Sequence, residues 1–178
     1  MLALSILLTA VAVHGLRLRD ATPVLSSLDA IKNQMNTVGD LVEPFTGGFN
    51  GTLAALEIQD ETSKLKNTID DGVTTIKAIS PLNEDDSTQV VDVVVALQGD
   101  IYGLLDLLVD KKPAFDTAIL GVGSASFLVH IDLQNLRNST SQLGGAITSK
   151  LTDEYRELAP LITSSIDFHF AQALRVYA

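Results

Sequence analysis

Residues 90–108, VVDVVVALQGDIYGLLDLL, decide the fold. Val90, Val94, Leu97, Ile101, Leu104 and Leu108 recur at alternating steps of four and three, which places them along one side of an α-helix and requires that side to be buried. The β-branched run Val93-Val94-Val95 would suit a strand, but it lies inside a helical period flanked by helix formers, where burial outweighs propensity. No polar group interrupts the stripe. An enzyme directs titratable groups into its site, whereas a helix that turns only aliphatic groups inward holds a fold or an apolar ligand.

The same rhythm extends in both directions. Val24, Leu28, Ile31, Met35, Val38 and Val42 form a first helical face that opens at Thr22-Pro23, with Thr22 as cap, and stops near Glu43 because Pro44 disfavours helix in the residue before it. After a loop over residues 44–51, a second helix is expected from about Thr52 to Ile79, with Leu65, Ile69, Val73 and Ile76 inward. Ser80-Pro81 breaks the chain. Asn83 then caps the third helix, and Glu84, Asp85 and Asp86 oppose its positive end. That helix ends at Lys111-Lys112-Pro113. A fourth helix is expected from Ala114 to about Leu143, where Gly144-Gly145 breaks it, and a fifth carries Leu158, Ile162, Ile166, His169, Ala173 and Val176. The fold class is therefore all-α, an antiparallel bundle of about five amphipathic helices with short links.

The ends and the composition set the class of protein. Residues 1–15 combine an apolar run, Leu2 to Val13, with small residues at Ala10, Ala12 and Gly15, and read as a secretory signal peptide cleaved after Gly15 or, as runner-up, after Ala12. The run falls short of the roughly 20 apolar residues that span a bilayer, so no transmembrane anchor is expected. Residues 16–178 are then one helical-bundle domain, long enough to form a core without staples. The chain contains no cysteine, which removes thiol catalysis, disulfides and thiolate metal sites together. Its net charge of −10 leaves no basic face for nucleic acid.

Motifs of reactive chemistry are weak. Gly121-Val122-Gly123-Ser124-Ala125-Ser126 lacks the lysine of a phosphate loop and the paired glycines of a nucleophile elbow, so it reads as close helix packing or as room left for a ligand. His130 and His169, near Asp132 and Asp167, show no three-ligand helical spacing and read as ordinary surface or half-buried histidines. No catalytic residue, metal or cofactor is assigned. Asn50-Gly51-Thr52 and Asn138-Ser139-Thr140 fit the N-glycosylation acceptor pattern. The aromatic residues Phe115, Phe127, Phe168 and Phe170 read as core or as the flank of an apolar ligand.

Several features together resemble a family of secreted fungal proteins, the hydrophobic surface-binding protein A and antigenic cell wall galactomannoprotein family. They are the signal peptide, the helix ending before Phe45-Thr46-Gly47-Gly48, the Ser80-Pro81-Leu82 break with its acidic sequel, LLDLLVDKKPAF at 104–115, and a last helix ending near Tyr177. The resemblance implies a bundle of about five helices, extracellular or cell-wall associated and glycosylated. It implies binding to hydrophobic surfaces, with secreted hydrolases as further partners, or enclosure of fatty acids, and it brings no catalytic residues. The Ser/Thr/Pro-rich stalk of some wall-attached relatives is absent from the sequence, which favours release into the medium.

The reading that follows is a secreted, non-enzymatic protein that takes a fatty acid or other lipid between its helices. Its expected apolar lining is Leu97, Ile101, Leu104, Leu108, Phe115, Ile119, Val122, Phe127, Ile131, Ile162 and Ile166. Burying about 14 methylenes at ~0.8 kcal/mol each yields a gross gain of about 11 kcal/mol, enough for micromolar binding after the costs of association. The alternatives are adsorption to a hydrophobic solid by a bundle that opens, and a structural or antigenic wall mannoprotein whose stripes are only core. The deciding observation is whether a cavity lies between the third, fourth and fifth helices.

Overall fold

A computed structural model describes residues 21–48, 51–118 and 124–178, so the expected signal peptide lies outside the described residues. Among them are six helices: α1 (Thr22–Val42), α2 (Thr52–Ala78), α3 (Glu84–Asp110), α4 (Lys112–Thr117), α5 (Ser126–Thr148) and α6 (Asp153–Val176). The α1 stripe is buried at every expected position, and Leu65, Ile69, Val73 and Ile76 of α2 are buried with it. Asn83 caps α3 as its sequence dictates, its Oδ1 accepting from the Asp86 N–H at 2.8 Å. No described helix is long and apolar enough to cross a membrane.

Three boundaries differ from the sequence reading. Thr22 lies inside α1 and Ala21 takes the cap position, which leaves Pro23 in the first turn. The expected fourth helix is two: α4 ends at Ala118, whose backbone is extended, and the Ala125 N–H returns to the Ala118 carbonyl at 2.8 Å before α5 begins. Gly144-Gly145 does not break the chain, because α5 runs through both to Thr148. Glycine there costs about 1 kcal/mol of propensity per residue. Packing compensates at Gly144, where a Cβ would stand 2.9 Å from Thr163 Cγ2 of α6.

The five long helices form a closed ring in which α1 packs on α2, α2 on α5, α5 on α6, α6 on α3 and α3 on α1. Cross-helix partners give the directions. Gln34 meets Glu61, and Arg137 meets Asp167, so α1/α2 and α5/α6 run antiparallel. Lys32 pairs with Asp100 while Lys111 reaches the carbonyls of Glu43 and Phe45, so α1 and α3 run parallel. Thr88 meets Tyr155 and Tyr102 meets Ser165, which makes α3/α6 parallel, and Gln59 with Asp132 and Lys150 with Ile79 make α2/α5 parallel. Sequence neighbours are antiparallel, as expected, while the ring is completed by parallel pairs.

A ring of five has a geometric consequence. At an interaxial spacing of about 9.5 Å, a regular ring of five places each axis roughly 8 Å from the centre, against roughly 6.7 Å for a ring of four. The interior must then be filled by larger side chains or left open. Both ends are closed. At one, Phe115 of α4 stacks on Phe45 at 4.6 Å and meets Tyr177 edge-on at 6.4 Å, and the Tyr177 hydroxyl donates to the Leu108 carbonyl at 2.6 Å. At the other, the Leu82 N–H donates to the Lys150 carbonyl at 2.8 Å, and buried Ser87 accepts from the Thr152 N–H at 3.2 Å.

The α4 plug fits because of one glycine. Gly47 has φ +73°, and a Cβ on it would lie 2.1 Å from the Ala114 carbonyl oxygen. Backbone cannot yield there as a side chain can. Gly47→Ala is expected to lower stability by about 2–4 kcal/mol from the left-handed backbone and the clash together. Urea unfolding checks this, and a loss under about 1 kcal/mol would mean that α4 is not held against the 44–48 turn.

An apolar cavity between α3, α5 and α6

The opening stripe is not uniformly buried. Val90, Leu97 and Leu108 are, but Val94, Ile101 and Leu104 are only half-buried although they face inward. Part of that exposure faces hollows between the helices. Val94, Leu97 and Ile101 form one wall of a cavity of about 310 Å³, whose other walls are Leu28 of α1, Leu143, Gly144 and Ile147 of α5, and Ile162, Ile166 and Phe170 of α6. Two smaller hollows share its walls. One of about 50 Å³ continues past Leu97 and Ile101 to Leu104, Leu105, Met35, Leu65 and Ile69, and one of about 40 Å³ continues past Val94 and Ile162 to Val91, Leu151, Tyr155 and Leu158. The three lie in a row along the bundle, separated by the side chains they share, and the main cavity alone has the size of a small-molecule site.

The polar groups of the main cavity lie on the α5–α6 seam. Arg137, Thr140 and Ser141 stand on α5, and Thr163, Ser164 and Asp167 on α6. Arg137 and Asp167 form a two-pronged ion pair, Nε to Oδ1 at 2.6 Å and Nη2 to Oδ2 at 2.7 Å, and that hydrogen bonding holds the Asp167 carboxyl below its usual range. Thr163 Oγ1 donates to the Ala159 carbonyl at 3.1 Å. Pro160, inside α6, has no N–H to donate to the Arg156 carbonyl one turn back.

The expected lining divides as follows. Leu97, Ile101, Ile162 and Ile166 line the main cavity, and Leu104 and Leu108 line its extension. Phe115 is fully buried but sits in the end plug. Phe127 is 66% exposed on the first turn of α5, and Ile131 one turn further is also exposed, so neither reaches the cavity. That is a correction with a simple cause: α5 buries the face of Val129, Leu133, Leu136, Leu143 and Ile147, and Phe127 and Ile131 fall on its opposite side. Ile119, Val122 and the acceptor Asn50 lie outside the described residues, and Asn138 is exposed on α5.

The expected lining omits Leu28, Val94, Leu143 and Ile147; Leu28, Val94 and Leu143 lie on expected helical periods, whereas Ile147 lies past the glycine pair where a break is expected. The sequence reading also missed the Arg137–Asp167 pair, which spans two helices and has no local pattern. Of the two described histidines, His169 is held by packing, while the buried Nδ1 of His130 has no hydrogen-bond partner among the described residues. His169 stacks on Tyr102 at 3.6 Å with Nδ1 at the Ser165 carbonyl, and His130 Nε2 faces Gln134. No group of three or more His, Cys, Asp or Glu side chains that could hold a metal occurs among the described residues.

The sequence pattern of the family described as Hydrophobic surface binding protein A matches residues 21–149. The chain belongs to that family. Among solved structures, Afmp4p in complex with palmitic acid is 34% identical and superposes with a TM-score of 0.82, covering 89% of this chain and 100% of that one. Ligand binding domain 2 of the Penicillium marneffei MP1 protein, complexed with multiple arachidonic acids, has the same fold at 19% identity and a TM-score of 0.79, covering 89% and 96%. Cell wall mannoprotein 1 of Aspergillus fumigatus is 25% identical over 165 residues, which is 88% of this chain but 55% of that protein, so the chain spans about half the length of this curated relative.

One titratable group near the core lies outside the cavity. Asp132 of α5 is half-buried beside Ala55, Ile58 and Leu133, and burial pushes its carboxyl up to about 6 against a bond from Gln59 Nε2 at 3.2 Å. The folded protein therefore binds this proton more tightly than the unfolded chain, and stability falls as pH rises from about 4 to 6 and then levels. Asp132→Asn is expected to raise stability by about 1 kcal/mol at pH 7.5, a value discounted for partial solvent screening, and to change little at pH 4. Urea midpoints at the two pH values check this.

Proposed function

We propose that this chain is an extracellular, non-enzymatic carrier that holds the acyl chain of a fatty acid in the cavity between α3, α5 and α6. The observation that carries the reading is the cavity itself: aliphatic side chains that sequence periodicity turns inward leave about 310 Å³ open, with smaller hollows behind the same side chains on either side. The likeness to Afmp4p, solved with palmitic acid, supports the same ligand class. The walls offer dispersion contacts and exclusion of water along a tail, and hydroxyls and one ion pair at the seam. Nothing in such a site calls for bond chemistry. Likeness to a cell wall mannoprotein supports a location outside the cell, in the wall or the medium.

A second reading, adsorption to a hydrophobic solid, is supported by apolar side chains left exposed on the closed bundle. Leu53, at 76%, and Leu56 stand at the start of α2, parallel to α5 with its exposed Phe127 and Ile131. On this reading the bundle does not need to open. The hydrolase partner implied by the family resemblance has no counterpart in the geometry of the described residues.

Displacement of a fluorescent fatty acid by palmitate tests the carrier reading. Saturating ligand at about 100 times Kd is expected to stabilise the fold by about 2.7 kcal/mol. Ile101→Trp, which fills the junction of the two main hollows, is expected to weaken palmitate binding at least about tenfold, equivalent to roughly 1.4 kcal/mol, while the variant still melts cooperatively. Unchanged binding in Ile101→Trp would place the ligand elsewhere.

A further inference from the structure

The mouth of the cavity carries a charge pair that an apolar container does not need. Among the described residues of its wall, Arg137 is the single cation, and Asp167 holds it with both carboxylate oxygens in the planar fork by which a guanidinium takes a carboxylate. Both side chains are substantially exposed, so the pair adds little to stability and is cheap to exchange for another of the same geometry. The surrounding hydroxyls differ in their commitments. Thr163 donates to backbone carbonyls of its own helix, whereas the hydroxyls of Thr140, Ser141 and Ser164 line the same cavity with no hydrogen bond among the described residues. A cation, uncommitted donors and an apolar cavity thus converge on one seam.

We infer that Arg137 is the head-group site for an acyl carboxylate, and that Asp167 is an internal competitor which occupies that site in the free protein. The inference rests on the acyl-site reading above. An entering carboxylate takes over the fork on Arg137, and Asp167 swings into water, where an exposed carboxylate loses little. Thr140, Ser141 and Ser164 supply donors to the second face of the head group. The exchange of one carboxylate for another leaves the charge of the mouth unbalanced by one, so Asp167 sets a threshold that only a ligand with a well-buried tail passes. A neutral head group, such as an alcohol, gains nothing from Arg137 and leaves the pair closed. The exchange also unties α5 from α6 at the mouth, while the close approach of Gly144 to Thr163 still joins the two helices deeper in.

The test compares palmitate with hexadecanol, which share a tail and differ in the head group, on the full chain and on Asp167→Asn and Arg137→Gln, by displacement of a neutral fluorescent acyl probe at pH 7.5. Asp167→Asn is expected to tighten palmitate about threefold or more, and Arg137→Gln to weaken it about fivefold or more, with hexadecanol changed less than about twofold in both. Melting of the ligand-free variants checks that both fold, and Arg137→Lys, which keeps the charge without the fork, is expected to recover part of the lost palmitate affinity. Parallel changes in palmitate and hexadecanol would overturn the proposal, as would weaker palmitate binding in Asp167→Asn, since Asp167 would then position Arg137 instead of competing for it. Binding of neither ligand to the unaltered chain would refute the acyl-site reading and this proposal with it. Binding of both ligands with no response to either variant would refute this proposal alone.

Discussion

Ring closure is the constraint on which the rest of this structure depends. Each of the five long helices has one apolar stripe to bury and no disulfide to hold it, so the stripes can be satisfied only if α1, α2, α5, α6 and α3 close on one another. Closing five helices encloses more interior than a four-helix ring does, and the aliphatic residues supplied do not fill it on the α3–α5–α6 side. The end plugs follow from the same demand. Phe115, Phe45 and Tyr177 stop one end of the ring, and Leu82, Ser87 and Leu151 stop the other, while the partly exposed polar lining of the cavity lies in the side wall between α5 and α6.

Much of the bundle was legible in sequence because periodicity reports directly which side chains face inward. The α1 stripe is buried residue for residue, and the Asn83 cap and Lys111-Lys112-Pro113 stop mark α3 to within a residue or two. Glycine was ambiguous for a physical reason: it marks both a broken helix and a close helix crossing, and Gly144 is the second kind. The split between α4 and α5 was hidden because Ala118, which turns the chain, has strong intrinsic helix propensity.

The site was legible only in part. Leu97, Ile101, Ile162 and Ile166 were identifiable as inward-facing, but whether the opposite wall fills the space is a property of five stripes together and of none alone. Phe127 shows the converse, since an aromatic residue next to the start of α5 suggests core, yet its position is out of phase with the buried face of Val129, Leu133 and Leu136 and it is exposed. The charge pair at the mouth joins residues 30 positions apart on different helices, beyond any local pattern. Aliphatic walls discriminate by length and volume and hardly by head group, so the proposed head-group selectivity rests on this pair.

The central claim is that the inward stripe of α3 is a ligand wall and not merely core. Isotope-edited nuclear Overhauser contacts between uniformly ¹³C-labelled palmitate and the protein's methyl groups test it most directly. The account predicts contacts from the palmitate chain to Val94, Leu97, Ile101, Ile162 and Ile166. Contacts confined to the exposed Leu53 and Leu56, with the α3 methyls silent, would contradict it and leave the cavity as a packing defect beside a surface-binding face.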